Sequence, residues 1–144
     1  MEQMSAEEGV RLTLALGAQK IDDGDVEGYV ALFSENARLM TRTVEYNGRA
    51  AIRDGITAAF GTWAPGSVTK HHIGGSVINV EGNTAKAITD LVVFQALAEG
   101  GWTVLQTGRY HDSFVQEDGE WRISERRVMA DVFHRASYGA RESA

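Results

Sequence analysis

Four long segments rich in β-branched and aromatic residues, Val68–Val80, Thr84–Ala98, Trp102–Val115 and Trp121–Val132, fill most of the second half of the chain. They are separated by Glu81-Gly82-Asn83, Glu99-Gly100-Gly101 and Asp118-Gly119-Glu120, short polar connections whose glycines suit hairpins. Such a run predicts antiparallel strands, and whatever else the chain forms must pack against that sheet. Gly74, Gly75 and Gly108 interrupt the strands, and glycine at such places marks bends or bulges that let a sheet wrap.

The first half reads as helical. Ser5-Ala6-Glu7-Glu8 fits a capping box, and the helix-forming residues behind it predict a first helix to about Ile21. Asp22-Asp23-Gly24-Asp25 is a break in which Asp25 can cap the next helix. Val26, Tyr29, Val30 and Phe33 recur at i, i+3, i+4 and i+7, a helical face. Ala37 to Val44 reads as a short strand, Asn47-Gly48 as a turn, and Ala50 to Phe60 as a third helix ended by Gly61. Trp63-Ala64-Pro65-Gly66 is a loop holding the only proline. Helices first and antiparallel strands after make an α+β chain, with helices on one face of a curved sheet. We read residues 1–144 as a single domain whose tail, 136–144, packs poorly.

Composition removes several functions. The formal net charge of -6 argues against nucleic acid or an anionic membrane as partner, since both require clustered Lys and Arg. Cysteine is absent, which excludes disulfides, thiolate metal sites and a cysteine nucleophile. The acidic start, Met1-Glu2-Gln3-Met4-Ser5-Ala6-Glu7-Glu8, is unlike a signal peptide, and no apolar run reaches the length of a membrane span. The expected location is the cytoplasm. No phosphate loop, dinucleotide fingerprint or Ser-His-Asp signature is present, and no cofactor or metal is expected.

Four stretches, taken in order, carry a resemblance: Asp22-Asp23-Gly24-Asp25-Val26 leading to Leu32-Phe33; Gly48-Arg49-Ala50-Ala51-Ile52-Arg53; Lys70-His71-His72-Ile73-Gly74-Gly75; and Gly108-Arg109-Tyr110-His111-Asp112-Ser113-Phe114 running into Asp118-Gly119-Glu120-Trp121. Together they resemble the SnoaL-like branch of the nuclear transport factor 2-like superfamily, which includes scytalone dehydratase, lindane dehydrochlorinase and polyketide cyclases. The resemblance implies a cone-shaped, cystatin-like barrel. It also implies that Asp22, at the end of the first helix, orients His71 on the sheet, and that His71 removes a substrate proton. The dehydratase's second pocket histidine falls at Phe94 and its strand asparagine at Tyr110. One tyrosine of its early strand falls near Thr41, and the dehydrochlorinase has an arginine near Arg126. Scytalone itself is therefore not the expected substrate.

An imidazole can take and return a proton near neutrality, and a carboxylate on its other nitrogen fixes the tautomer. His72 alternates to the other side of the strand, so His71 and His72 do not converge on a metal. Tyr110 and Asp112 share one face, Arg109 and His111 the other. Tyr110 is a candidate donor to a carbonyl or enolate oxygen. Asp112 is expected to pair with Arg126 or Arg127, and Arg126 is also a candidate for binding an anionic or leaving group. Tyr29, Phe33, Met40, Trp63, Val77, Val92, Phe94, Phe114 and Met129 are candidates for the wall, with Trp63 as a lid. Asp90 is either a pocket carboxylate or, as we favour, a solvated edge residue, and His134 is incidental.

These readings predict a cofactor-independent lyase, isomerase or cyclase acting on a small polyketide-, aromatic- or terpenoid-like molecule. The alternative is a non-catalytic ligand-binding or assembly module of the same fold, with a filled pocket or a separated His71 and Asp22. Epoxide hydrolysis would need converging carboxylates that the sequence does not show. A homodimer or homotrimer is expected, assembled through an outer sheet face carrying Thr89, Leu91, Val93, Gln95, Arg109 and His111.

Overall fold

The computed structural model describes residues 3–63 and 65–131. His134, Val132 and the tail from 136 lie outside the described residues. The elements run α1 (Ala6–Asp22), α2 (Val26–Val30), β1 (Phe33–Met40), β2 (Glu45–Asn47), α3 (Arg49–Gly61), β3 (Thr69–Glu81), β4 (Thr84–Ala96), β5 (Trp102–Glu117) and β6 (Glu120–Ala130). They form one six-stranded sheet in the order β2-β1-β6-β5-β4-β3. Only the β1–β6 pairing is parallel; the others are antiparallel.

The helix starts follow from local chemistry. Ser5 and Glu8 exchange the two bonds of a capping box, and Asp25 accepts from the Gly28 amide at 2.8 Å. The helix expected to run through Phe33 stops at Val30, and Phe33 instead opens β1. Its i+7 spacing suited a helix, but Phe33 is fully buried from a strand just as well. Likewise β1 begins earlier than the expected strand at Ala37 and ends at Met40, with β2 following separately.

The strand turns are as tight as their residues allow. Glu81 pairs with Thr84 across Gly82-Asn83, and Glu117 pairs with Glu120 across Asp118-Gly119. Asp118 and Gly119 both have positive φ, 52° and 79°, the backbone that matches the twist of flanking strands.

Beside an irregularity between Phe33 and Arg38 where β1 pairs with β6, three interruptions of register between antiparallel strands bend the sheet and decide which side chains face inward. In β3 the pairing slips between Ile73 and Ser76, at Gly74-Gly75. Before the slip Thr69, His71 and Ile73 turn inward; after it Ser76, Ile78 and Val80 do. In β6 the slip around Ser124 moves the inward set from Trp121 and Ile123 to Arg126 and Val128. A third slip lies between β4 and β5, near Leu105. Gly108 sits in unbroken register instead. It permits close approach of strands, since a Cβ there would meet the Met129 carbonyl and Ala130 Cα.

The core lies between α1 and the inner face, around Val10, Leu14, Phe33, Ile52, Phe114, Trp121 and Ile123. Thr13 donates to the Trp121 carbonyl at 2.6 Å and Arg49 to the Phe33 carbonyl at 2.6 and 2.8 Å, tying helices to sheet. The expected composition of the outer face is inverted. Thr89, Leu91 and Val93 are buried on the inner face, while Lys86, Ile88, Asp90 and Val92 alternate to the outside. Arg109 and His111 do face outward, as does His72. Among the described residues no helix is long and apolar enough to cross a membrane.

Candidate active site

Asp22 is the last residue of α1, which packs on β3, so its carboxylate reaches the start of that strand. There it collects several donors. The His71 backbone N–H donates to both oxygens, at 3.0 and 2.8 Å. Thr69 Oγ1 donates at 3.3 Å, and His71 Nδ1 lies 2.6 Å from Oδ1. A carboxylate so surrounded accepts, which puts the ring proton on Nδ1 and leaves the lone pair on Nε2. The two side chains are 14% and 12% exposed, so the pair is sheltered yet reachable. Nε2 has no hydrogen-bond partner among the described residues, and no partnerless side-chain nitrogen or oxygen is buried there.

His71 forms part of the wall of a cavity of about 240 Å³ between the helices and the inner sheet face. Helical residues Ile21, Tyr29, Ile56, Ala59 and Phe60 close one side, and sheet residues Leu39, Leu91, Val93 and Val128 the other. The polar side chains on this apolar wall are Thr41, Tyr46, Gln106, Tyr29, Tyr110 and His71. A second recess, of about 340 Å³, shares Ile21, Phe60 and Trp63 with the first and reaches Asp22, Asp23 and Thr69. Trp63 packs edge-on against Phe60 with ring centres 4.9 Å apart, at the boundary of both spaces.

Beneath this wall lies a buried ion pair. Arg126 Nε and Nη2 donate to the two oxygens of Asp112, each at 2.9 Å. Arg126 Nη1 donates to the Tyr29 hydroxyl at 3.4 Å, and its guanidinium carbon lies 3.9 Å from the centre of the Tyr110 ring. Burial alone would weaken the arginine's charge, but the adjoining Asp112 carboxylate together with the Tyr29 and Tyr110 phenols outweighs that and holds it firmly protonated. Burial pushes the Tyr110 phenol well above the ordinary tyrosine range, partly offset by Arg126, so Tyr110 is a neutral donor.

The SnoaL-like domain family matches the chain over residues 2–127. The chain belongs to that family. No curated protein matches it. Among solved structures, this SnoaL-like domain is similar to Rv3472 of Mycobacterium tuberculosis, described as of unknown function, at 27% identity and a TM-score of 0.77, covering 85% of this chain and 70% of that one. It is similar to Aln2 of a Streptomyces species at 22% identity and a TM-score of 0.81, covering 94% and 99%. It is similar to a provisionally assigned scytalone dehydratase of Novosphingobium aromaticivorans at 20% identity and a TM-score of 0.74, covering 86% and 83%. The last two likenesses establish the fold alone.

Of the side chains proposed from sequence, the SnoaL-like domain brings His71, Tyr110, Tyr29 and Trp63 to the cavity, with Asp22 behind His71. The pairing of Asp112 with Arg126 is present. Other wall candidates are misplaced. Phe33, Met40 and Phe114 are buried core rather than wall. Arg126 lies behind the tyrosines, not on the cavity surface. Phe94 and Val92 face out because β4 turns Leu91 and Val93 inward. Val77 and Met129 are on the outer face, moved there by the bulges at Gly74-Gly75 and Ser124. Asp90 is solvated and bonded to Arg109 at 2.7 Å, on an interior strand of the sheet rather than its edge. Sequence reasoning missed Tyr46 and Gln106. Tyr46 places a phenol where Thr41 had suggested that none was available, seated against Gly55.

Proposed function

We propose that this SnoaL-like domain is a cofactor-independent lyase, isomerase or cyclase that begins by taking a proton from carbon. One observation carries the reading: the 2.6 Å contact of Asp22 Oδ1 with His71 Nδ1, which leaves Nε2 as the free basic nitrogen at an apolar cavity. Nε2 accepts the proton from a carbon beside a carbonyl, and the C–H electron pair moves to form the enolate. Asp22 stabilises the imidazolium so formed, and Tyr110 donates to the enolate oxygen. The enolate then expels a β-hydroxyl as water with the proton returned from Nε2, or takes the proton back at another carbon, or closes a ring onto a second carbonyl whose oxygen takes the proton from Nε2.

The apolar wall suits an aromatic, polyketide-like or terpenoid ketone. The provisionally assigned scytalone dehydratase offers a precedent for lyase chemistry on this fold. The open cavity and joined dyad both favour catalysis over a ligand-carrying or assembly module. We also propose that the partner on the outer sheet face is a second copy of this chain.

The test is exchange of the α-protons of ketones with one, two and three rings, 2-tetralone among them, in D₂O, followed by NMR. Wild-type protein is expected to accelerate exchange, and His71→Gln to lose ~10²–10⁴-fold of that acceleration. Full activity in His71→Gln sinks the mechanism. No acceleration with any of the ketones moves the reading to the binding module.

A further inference from the structure

Proton abstraction by His71 leaves the Arg126–Asp112 pair without a task. Both residues are almost wholly buried, at 1% and 3% exposure. Desolvating two charges is costly, and apolar residues of the same volume often stabilise a core at least as well. Fold stability alone is therefore a weak reason for the pair. Its remaining contacts all point one way. The guanidinium edge that Asp112 leaves free donates to the Tyr29 hydroxyl, and the guanidinium plane lies over the Tyr110 ring. Both tyrosines line the cavity.

These contacts set what each phenol can do. Tyr29 uses an oxygen lone pair on Arg126, so its O–H remains to donate elsewhere. A donor whose oxygen accepts from a cation is polarised and donates more strongly. The Tyr110 hydroxyl has no hydrogen-bond partner among the described residues and is not a buried orphan, so it too is open to a ligand. The positive charge against its ring draws electron density from the phenol oxygen. Asp112 holds the guanidinium by two parallel bonds, which fixes its plane.

We infer that Tyr29 and Tyr110 form a two-phenol seat for an oxygen that becomes anionic during the reaction, and that Arg126, held by Asp112, is its positioning residue. This deepens the proton-transfer reading and rests on it for the reaction. The substrate it selects is a ketone or cyclic enone whose enolate oxygen is delivered to the tyrosines while the acidic carbon faces His71.

The probe is 2-naphthol, an aromatic of two rings whose ionised form imitates an enolate and differs from the neutral form in absorbance. Wild-type protein is expected to bind naphtholate in preference to naphthol, lowering the apparent pKa of the bound probe. Tyr29→Phe and Tyr110→Phe are each expected to weaken naphtholate binding about ten- to hundredfold, the scale of one hydrogen bond to a charged group, and to change naphthol binding far less. Arg126→Met alone would strand Asp112 and risk unfolding. The double variant Asp112→Leu/Arg126→Met removes both charges, and once it shows a cooperative melt it is expected to lose the same preference. If it does not fold, the tyrosine variants alone decide.

A folded double variant that retains the wild-type preference overturns the role of Arg126. Wild-type protein that does not prefer naphtholate, or tyrosine variants that leave the preference unchanged, overturn the seat. His71→Gln separates this proposal from the base reading. It is expected to keep the naphtholate preference while losing ketone exchange, so retained exchange in that variant sinks the base and not the seat.

Discussion

At the scale of single residues the site depends on one proton being held on Nδ1 of His71. Asp22→Asn keeps the size of the side chain but offers an amide that must now share a single acceptor oxygen among the Thr69, His71 backbone and His71 ring donors. The ring is then free to turn or to change tautomer. Ketone exchange is expected to fall by ~10²–10⁴-fold with a nearly unchanged circular dichroism spectrum, as for other carboxylates that orient a basic histidine. Loss of less than a factor of two would show that Asp22 only ends a helix. Tyr110 carries a pH dependence of its own. Its phenol titrates higher in the folded chain than in the unfolded one because burial disfavours the phenolate. The stability it contributes is therefore intact below the ordinary tyrosine value of about 10 and lost as pH rises from there. Urea titrations near neutrality and above pH ~10 are expected to show wild-type protein losing more stability over that interval than Tyr110→Phe does. Asp22 and His71 were paired only through the family resemblance, because their meeting depends on how α1 packs on β3, 49 residues apart in the chain. Gln106 and Tyr46 were not legible, because nothing in an isolated Gln or Tyr tells which face of a strand it occupies.

At the scale of elements, legibility failed where strands carry an extra residue. Strict alternation from His71 places Val77 inward, and strict alternation from Ile123 does the same for Met129. The slips at Gly74-Gly75 and Ser124 reverse both. The glycine pair announced a bulge, but not its effect on phase, and Ser124 announced nothing. The hairpins were legible throughout, since Gly82-Asn83 and Asp118-Gly119 specify their own backbone. Gly108 tests how tightly β5 and β6 approach. A methyl group there would press on the Met129 carbonyl and Ala130 Cα, backbone atoms with no flexible end to yield. Gly108→Ala is expected to destabilise the fold by roughly 1–3 kcal/mol, measured as a shift of the urea midpoint at constant slope. Gly55→Ala differs, because its Cβ would lie 2.5 Å from atoms of the Tyr46 ring, which can move. Its expected effect is displacement of that ring within the cavity: weaker binding of 2-naphthol, with a smaller change in midpoint than Gly108→Ala. Equal effects on both measurements would show that Tyr46 is a structural aromatic and not part of the wall.

For the whole molecule, the α+β order and the helix-covered sheet were readable because binary patterning decides which layers can pack. The composition of the outer face was not. Its expected members Thr89, Leu91 and Val93 belong inside, since β4 carries β-branched and apolar residues on both faces and gives alternation little contrast. The outer face that results is nevertheless apolar in places. Val77 is 66% exposed and pairs in register with Ile88, also exposed; Val104 is 55% exposed and pairs with Phe94. Around these lie polar and charged groups, His72, Arg109 bonded to Asp90, and Thr107 donating to Asp131 at 2.8 Å. Apolar patches rimmed by polar residues mark association surfaces. A stable interface must cover more than about 1,000 Å² in total, which the breadth of β3 to β6 can supply from two identical faces. Sedimentation of the purified chain is expected to give a dimer or trimer. Val77→Lys/Val104→Lys, which touches neither core nor cavity, is expected to shift it to monomer while keeping a cooperative melt. A monomeric wild-type chain at every concentration tested would remove the second copy as partner, and an oligomer indifferent to both lysines would place the contact elsewhere. Because Val77 and Val104 are exposed on the outer face and neither lines the cavity, ketone exchange per subunit is expected to survive dissociation.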